Sequence, residues 1–336
     1  MKKLLASLCF ASVSLLLSSG AHASLFSNVF IFGDSLSDSG NNAAVLAPNI
    51  TLPSDVVNNS FIPTFTYASG TYSNGPVWAS TFASTLGLNA APALAGGTNW
   101  AFGGARTGPP SNNLFSPFPP SLLTQTGAFL ASNGGVAPAD ALYVVAGGGN
   151  NARDALSALG ACALALNPAA CANAAITGAA TQFATDTANI VNGLRNAGAQ
   201  RIIVWDVPNL GNAPAVRAGG AASIGAALLV ANAMNNALLS TLNFDSNIEL
   251  FDIFGLGAII SANPAAYGLT NVVDACAAQG AACDPSTYFF WDGIHPTSAG
   301  QRIIAEAMLA TVPEPATLVL LALGLLGIAA SRRRRA

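Results

Sequence analysis

Short apolar runs closed by glycine or proline recur along the chain. Asn28-Val-Phe-Ile-Phe32 ends at Gly33, and Ala141-Leu-Tyr-Val-Val-Ala146 ends in Gly147 to Gly149. Arg201 to Val207 is stopped by Pro208, and Asn247 to Ile253 is a fourth run. Runs of this length without strict alternation predict strands buried on both faces. Thr98 to Phe102 is a shorter candidate. Helical periodicity lies between these runs. Phe183, Thr187, Ile190, Val191 and Leu194 fall on one helix face. Residues 219–242, rich in Ala and Leu and free of proline, predict a long buried helix. Ser298 to Leu309 opens behind Thr297 or Ser298 as N-cap and brings Ile303, Ile304 and Met308 together. Strands alternating with helices predict an α/β fold with a parallel sheet covered on both faces. Residues 43–75 and 106–135, rich in Pro, Ser, Asn and Gly, predict long loops over the carboxyl ends of the strands. Ligands sit at that end of such sheets.

The two ends of the 336-residue chain carry a different pattern. Residues 1–23 are expected to be a secretory signal peptide. Lys2 and Lys3 form its charged start, Leu4 to Leu17 its apolar stretch, and Ala21-His22-Ala23 its cleavage site. At the other end, Val312-Pro313-Glu314-Pro315 precedes an apolar run, Ala316 to Ala330, then Ser331 and four arginines. Fifteen helical residues span about 22 Å, short of a full bilayer core. This layout resembles the PEP-CTERM sorting signal of Gram-negative bacteria. The resemblance implies processing by a membrane transpeptidase-like exosortase, transient anchoring through residues 316–330, and a place in the periplasm, at the cell surface or in the extracellular matrix. A plain C-terminal anchor is the simpler alternative. The expected organisation is a signal peptide at 1–23, one domain at 24–311 and a sorting segment at 312–336.

Composition narrows the partners. The chain is 52% hydrophobic and 8% charged, far from the composition of a disordered chain. Residues 24–312 hold six arginines, no lysine and fourteen carboxylates, a net −8. A nucleic-acid binder needs a basic stripe, so nucleic acid is excluded as a partner. After Cys9, four cysteines remain: Cys162, Cys171, Cys276 and Cys283. In an oxidising compartment they are expected to form disulfides. Of three possible connectivities, the sequence-local pairing is the expectation, Cys162 with Cys171 and Cys276 with Cys283. Their spacings do not suit zinc and no histidine lies near them, so no metal is expected.

Imidazole chemistry in the expected mature chain has one source. Of two histidines, His22 lies in the signal peptide and His295 in Trp291-Asp-Gly-Ile-His-Pro296. Asp292, three residues upstream, is close enough for one turn to bring its carboxylate to Nδ1, fixing the tautomer and stabilising an imidazolium. Ser35 follows the first apolar run by two residues, in Phe32-Gly-Asp-Ser-Leu-Ser-Asp-Ser-Gly-Asn41. A sharp turn there can expose its hydroxyl. The simpler readings are a surface histidine capping the next helix and an N-capping serine. The segment is neither G-x-S-x-G nor a calcium loop.

Gly33-Asp34-Ser35-Leu36 and Asp292-x-x-His295 look like the GDSL or SGNH hydrolase family. Four blocks match in order. The first, Gly33 to Asn41, carries the nucleophile. Asn99-Trp-Ala-Phe-Gly-Gly-Ala105 resembles the second, whose glycine gives an oxyanion-hole N–H; Gly104 matches, with Gly103 the close alternative. Gly147-Gly-Gly-Asn150-Asn151 resembles the third, whose asparagine is a further donor, here Asn150. Asp292 to His295 is the last. Ser73-Asn-Gly-Pro-Val-Trp78 and Val207-Pro-Asn-Leu-Gly211 are similar to the plant and bacterial GDSL lipase subgroup. One position departs: the third block usually ends Asn-Asp, and here Asn151 stands in place of the aspartate.

The resemblance implies a flavodoxin-like three-layer sandwich with about five parallel strands. It implies a cofactor-independent serine esterase or lipase. Ser35 would be the nucleophile, His295 the base and Asp292 its partner, with an oxyanion hole from Ser35 N–H, Gly104 N–H and Asn150. The expected substrate is a small-molecule, lipid or acetylated-glycan ester. The alternatives are an O-acetyl esterase acting on exopolysaccharide and a catalytically inactive matrix or adhesion scaffold.

Overall fold

The structure, a computed structural model, describes residues 25–46, 67–108 and 118–312. The expected signal peptide and the apolar C-terminal segment lie outside the described residues. Four parallel strands form the central sheet in the order β1 (Val29–Gly33), β2 (Leu142–Ala146), β3 (Arg201–Trp205) and β4 (Ile248–Phe251). β1 and β2 are buried at every position, as expected for strands covered on both sides.

The expected fifth strand is present as a hydrogen-bonded edge. Ile31 N donates to Thr98 O at 3.2 Å, Trp100 N to Ile31 O at 2.7 Å, and Phe102 N to Gly33 O at 3.1 Å. This segment runs parallel to β1 on the side away from β2. The chain therefore steps to one side after β1 and to the other for everything that follows. That reversal opens a crevice at the carboxyl ends of β1 and β2.

Alternate strand residues feed two cores. Phe30, Phe32, Tyr143, Val145, Ile202 and Val204 face one layer. It consists of α3 (Leu122–Ser132), α4 (Gly149–Cys162), α5 (Pro168–Asn196) and α7 (Gly220–Thr241). Val29, Ile31, Leu142, Val144, Ile203 and Trp205 face the other. That layer holds α2 (Trp78–Thr85), α8 (Ile253–Ala262) and α9 (Ser298–Leu309). Short α1 (Asn41–Leu46) and α6 (Pro214–Arg217) sit in the loops. A second sheet pairs β5 (Asn271–Ala275) with β6 (Tyr288–Phe290), the strand that leads into the His295 loop.

Two expectations need correction. Residues 106–135 are not one loop: residues 122–132 are helix α3, capped by Ser121 Oγ accepting from Thr124 N at 3.3 Å. The run Pro119-Pro120-Ser121 is a helix start rather than loop composition. The long helix at 219–242 is buried along one stripe only. Val230, Met234 and Leu238 are enclosed, while Leu229 and Leu239 are more than half exposed. The composition there signalled helix, not depth. The cap of α9 is Thr297, whose Oγ1 accepts from Gly300 N at 3.1 Å.

Candidate active site

Two turns at the carboxyl ends of the strands meet the loop after β6. Past Gly33 the chain turns sharply: Ser37 N and Asp38 N both donate to Asp34 O at 3.0 Å. Gly33 has no room for a side chain, since a Cβ there would stand 2.7 Å from Ala146 O. Gln125 of α3 caps the strand end. Its Oε1 accepts from Gly33 N and its Nε2 donates to Gly33 O, both at 2.9 Å. A glutamine side chain thus extends the sheet's pairing to the residue two before Ser35.

Ser35 Oγ lies 2.8 Å from His295 Nε2, and His295 Nδ1 lies 2.7 Å from Asp292 Oδ2. All three residues are buried. Asp292 can only accept here, so Nδ1 carries the proton and Nε2 faces the serine hydroxyl as an acceptor. Asp292 Oδ1 accepts from Ile294 N at 2.8 Å and His295 N at 2.7 Å. Tyr67 OH donates to Oδ2 at 2.6 Å. The Tyr72 ring lies against the imidazole, centroids 5.3 Å apart.

Remote segments hold the histidine loop. Ser73 Oγ donates to Pro296 O at 2.9 Å, and Asn74 Oδ1 accepts from Ser298 N at 2.7 Å. Trp78 N donates to Gln301 Oε1 at 2.9 Å. The Ser73 to Trp78 motif therefore clamps the loop that carries His295. Disulfides join Cys162 to Cys171 and Cys276 to Cys283. The second lies beside this loop, with Cys276 N donating to Phe290 O and Ala277 N to Trp291 O.

Of the candidate oxyanion donors, Ser35 and Asn150 line the same crevice. Gly103 N donates to Asp38 Oδ2 at 2.9 Å, which engages that N–H elsewhere. Gly104 adopts a left-handed φ of 82°, a conformation glycine takes without strain. Its turn follows the bond from Phe102 N to Gly33 O, next to the Ser35 turn. Asn150 opens α4 behind Gly148, whose φ is 108°. Asn150 Nδ2 donates one hydrogen to Ala105 O at 2.8 Å, and Oδ1 accepts from Arg153 Nη1 at 3.1 Å. The guanidinium thus fixes which way the amide faces. Asn151 Oδ1 accepts from Thr107 N and its Nδ2 donates to Thr107 Oγ1, both at 3.1 Å. Thr107 Oγ1 in turn donates to Asp186 Oδ2 at 3.0 Å. Asn151 thereby keeps the link between α4 and the 105–108 turn, and a carboxylate from α5 stands behind it.

The other polar residues of the first motif are structural. Asp38 Oδ1 accepts from Gly40 N and Asn41 N, and Oδ2 from Asn42 N and Gly103 N. This welds the first and second blocks together. Burial pushes the Asp38 carboxyl above its ordinary range. Burial also raises Asp34 to about 6, against the opposing N–H of Leu36 and the positive field of His295 and Arg153. Desolvation lowers the Arg153 guanidinium from its usual value.

One cleft adjoins Ser35, Asn150 and His295. Its walls are mostly apolar and include Leu36, Leu210, Ile253, Leu256, Ile260 and Phe289. Sequence reasoning did not find Tyr67, Gln125 or Arg153. The sequence offered no signal for Tyr67 or Gln125, which lie 225 and 92 positions from their partners. Arg153 had one, its i+3 spacing from Asn150 on a helix start.

Comparison with known proteins bears on the whole of this region. A family model described as GDSL-like Lipase/Acylhydrolase matches residues 29–308, and one described as PEP-CTERM protein-sorting motif matches residues 311–335. The sorting motif marks the chain for export in Gram-negative bacteria. Esterase EstA of Pseudomonas aeruginosa is 30% identical, the match covering 96% of this chain and 52% of that protein. Lipase 1 of Photorhabdus luminescens is 31% identical over 59% of this chain and 24% of its own length. A GDSL esterase/lipase of Arabidopsis thaliana is 28% identical over 36% of this chain and 40% of that one. This chain spans about half the length of the Pseudomonas relatives it matches.

Proposed function

This chain belongs to the GDSL-like lipase/acylhydrolase family, and we propose that it is an exported, serine-dependent hydrolase of carboxylic esters. The observation that carries this reading is the relay from Ser35 Oγ to His295 Nε2 and from Nδ1 to Asp292, at 2.8 and 2.7 Å. Ser35 Oγ attacks the ester carbonyl carbon, and its proton passes to His295 Nε2. The carbonyl oxygen becomes an oxyanion, met by the N–H groups of Ser35 and Gly104 and by Asn150 Nδ2. The bond to the alcohol oxygen breaks, and His295 returns the proton to that leaving oxygen. Water then adds to the acyl-enzyme, giving a proton to His295. The acid leaves and Ser35 regains its hydrogen.

The cleft favours esters with an apolar acyl chain. Ile253, Leu256 and Ile260 line it along one face of α8, a run of eight residues that rises roughly 10 Å. That length suits a hexanoyl to decanoyl chain better than the acetyl groups of a glycan. The reading extends to the organisation of the chain: a leader at 1–23, the hydrolase at 24–311 and a sorting segment at 312–336, handled by an exosortase with transient membrane anchoring through 316–330.

A p-nitrophenyl ester series from acetate to palmitate, run beside Ser35→Ala, tests the proposal. The expected result is Ser35-dependent hydrolysis with the highest kcat/KM between hexanoate and decanoate. Hydrolysis that survives in Ser35→Ala overturns the serine mechanism. A monotonic fall from acetate overturns the acyl-chain assignment.

A further inference from the structure

The serine relay has a fourth member. Asp292 Oδ2, the oxygen that faces His295 Nδ1, also accepts from Tyr67 OH at 2.6 Å. Tyr67 is 4% exposed and Asp292 fully buried. The Tyr67 ring meets Trp291 edge to face, with centroids 6.1 Å apart, and packs with Ala277. Cys276 N donates to Phe290 O at the end of β6, and Ala277 N donates to Trp291 O just after it. The hydroxyl is therefore placed by a rigid wall and aimed at one carboxylate oxygen. Burial and the adjacent Asp292 carboxylate push the phenol above its ordinary value. It stays protonated, and against a carboxylate it acts as the donor.

We propose that Tyr67 is a positioning residue that sets the basicity of the Asp292–His295 pair, through a charge-assisted hydrogen bond to the carboxylate oxygen that faces the imidazole. This rests on the ester-hydrolase reading for its catalytic meaning, while the physical coupling stands without it. Two donors on Oδ2 share one negative charge. With the hydroxyl present, less of that charge acts on the imidazole. With it removed, the carboxylate stabilises the imidazolium more strongly, and His295 holds its proton to higher pH. Other groups also face the imidazole. Tyr72 lies against its ring, and its own hydroxyl accepts from Asn42 Nδ2 at 2.7 Å. Asp34 and Arg153 border the same cleft on the Ser35 side. Asp34 titrates at about 6, and this contribution is common to wild type and variant.

The substitution is Tyr67→Phe, which keeps the ring and its Trp291 contact and removes one oxygen. The sequence holds two histidines, so a His22→Gln background of the full chain leaves a single imidazole to follow by 15N-histidine NMR. The expected result is a titration midpoint higher in Tyr67→Phe by roughly one unit, with the acid limb of kcat/KM moving by the same amount. A midpoint that stays in place, or falls, overturns the proposal. A midpoint that rises while the kinetic limb stays put leaves the Tyr67 coupling standing and removes His295 as the catalytic base, so the two readings fail separately.

Discussion

Every polar atom of Asn150 has a stated direction. Its Oδ1 faces Arg153, one Nδ2 hydrogen faces Ala105 O, and the remaining hydrogen is left for the crevice shared with Ser35. A donor held this way, before any charge develops, stabilises a transition state more than a ground state. Asn150→Ala is therefore expected to lower kcat by about 10²–10³ with KM nearly unchanged. Steady-state kinetics on the preferred ester would show it. A raised KM at constant kcat would take Asn150 out of the oxyanion hole. At this scale the sequence was informative where chemistry is local. Asp292 and His295 are three residues apart, and His295 is the one histidine outside the expected leader. It was silent on Tyr67 and Gln125, because a contact made across the fold has no spacing to betray it. Other polar residues of the first block serve the fold: Asp38 ties two motif blocks together, and Asn41 Nδ2 donates to Asn99 O and Ala101 O.

Elements also meet at the buried carboxylate of Asp206, just past β3, which accepts from Phe254 N of α8 at 3.1 Å and from Asn235 Nδ2 of α7 at 3.3 Å. Asn235 also brackets Val207, accepting from its N and donating to its O. Burial raises Asp206 to about 7, with Asp252 nearby adding to the rise. In the unfolded chain the same group titrates near 3.9. Its contribution is thus fully present below about pH 4 and is lost as pH rises through 7. The span corresponds to an order of 3–4 kcal/mol. Thermal unfolding is expected to show a Tm that declines from pH 5 to 8, with a flatter profile in Asp206→Asn. The same slope in the variant would place the pH dependence elsewhere. The apolar strand runs were legible because strands buried on both faces, as β1 and β2 are throughout, need no partner to be recognised. Helix α3 was not, since prolines crowd its approach and Thr124, Thr126 and Gly127 blur its period. The edge segment beside β1 was legible only as a short run, and it is one: three backbone hydrogen bonds hold it.

Across the whole molecule, the candidate site sits where the strand order reverses. Ser35 follows β1, Asn150 opens the helix after β2, and the loop after β6 brings Asp292 and His295 over them. Four motif blocks far apart in sequence converge because each lies at the carboxyl end of an element or on the loop that covers it. The order of those blocks makes the family recognisable from the sequence. The apolar cleft was not foreseen, because its walls come from α8, β6 and the turn at Leu210, none of which carries a motif for an acyl chain. The C-terminal segment was legible from its Pro-Glu-Pro box, apolar run and terminal arginines, and the sorting motif matched at 311–335 agrees with that reading.

The central claim is that Ser35 becomes acylated with His295 as its base. Reaction with p-nitrophenyl diethyl phosphate tests it directly, because the serine oxygen attacks phosphorus, p-nitrophenolate leaves and the adduct does not turn over readily. Intact-mass and peptide analysis are expected to find one diethylphosphoryl group per chain, on the peptide that contains Ser35, and none in Ser35→Ala or His295→Ala. A folded wild-type chain that takes no label, or a Ser35→Ala chain that takes as much, would contradict the account.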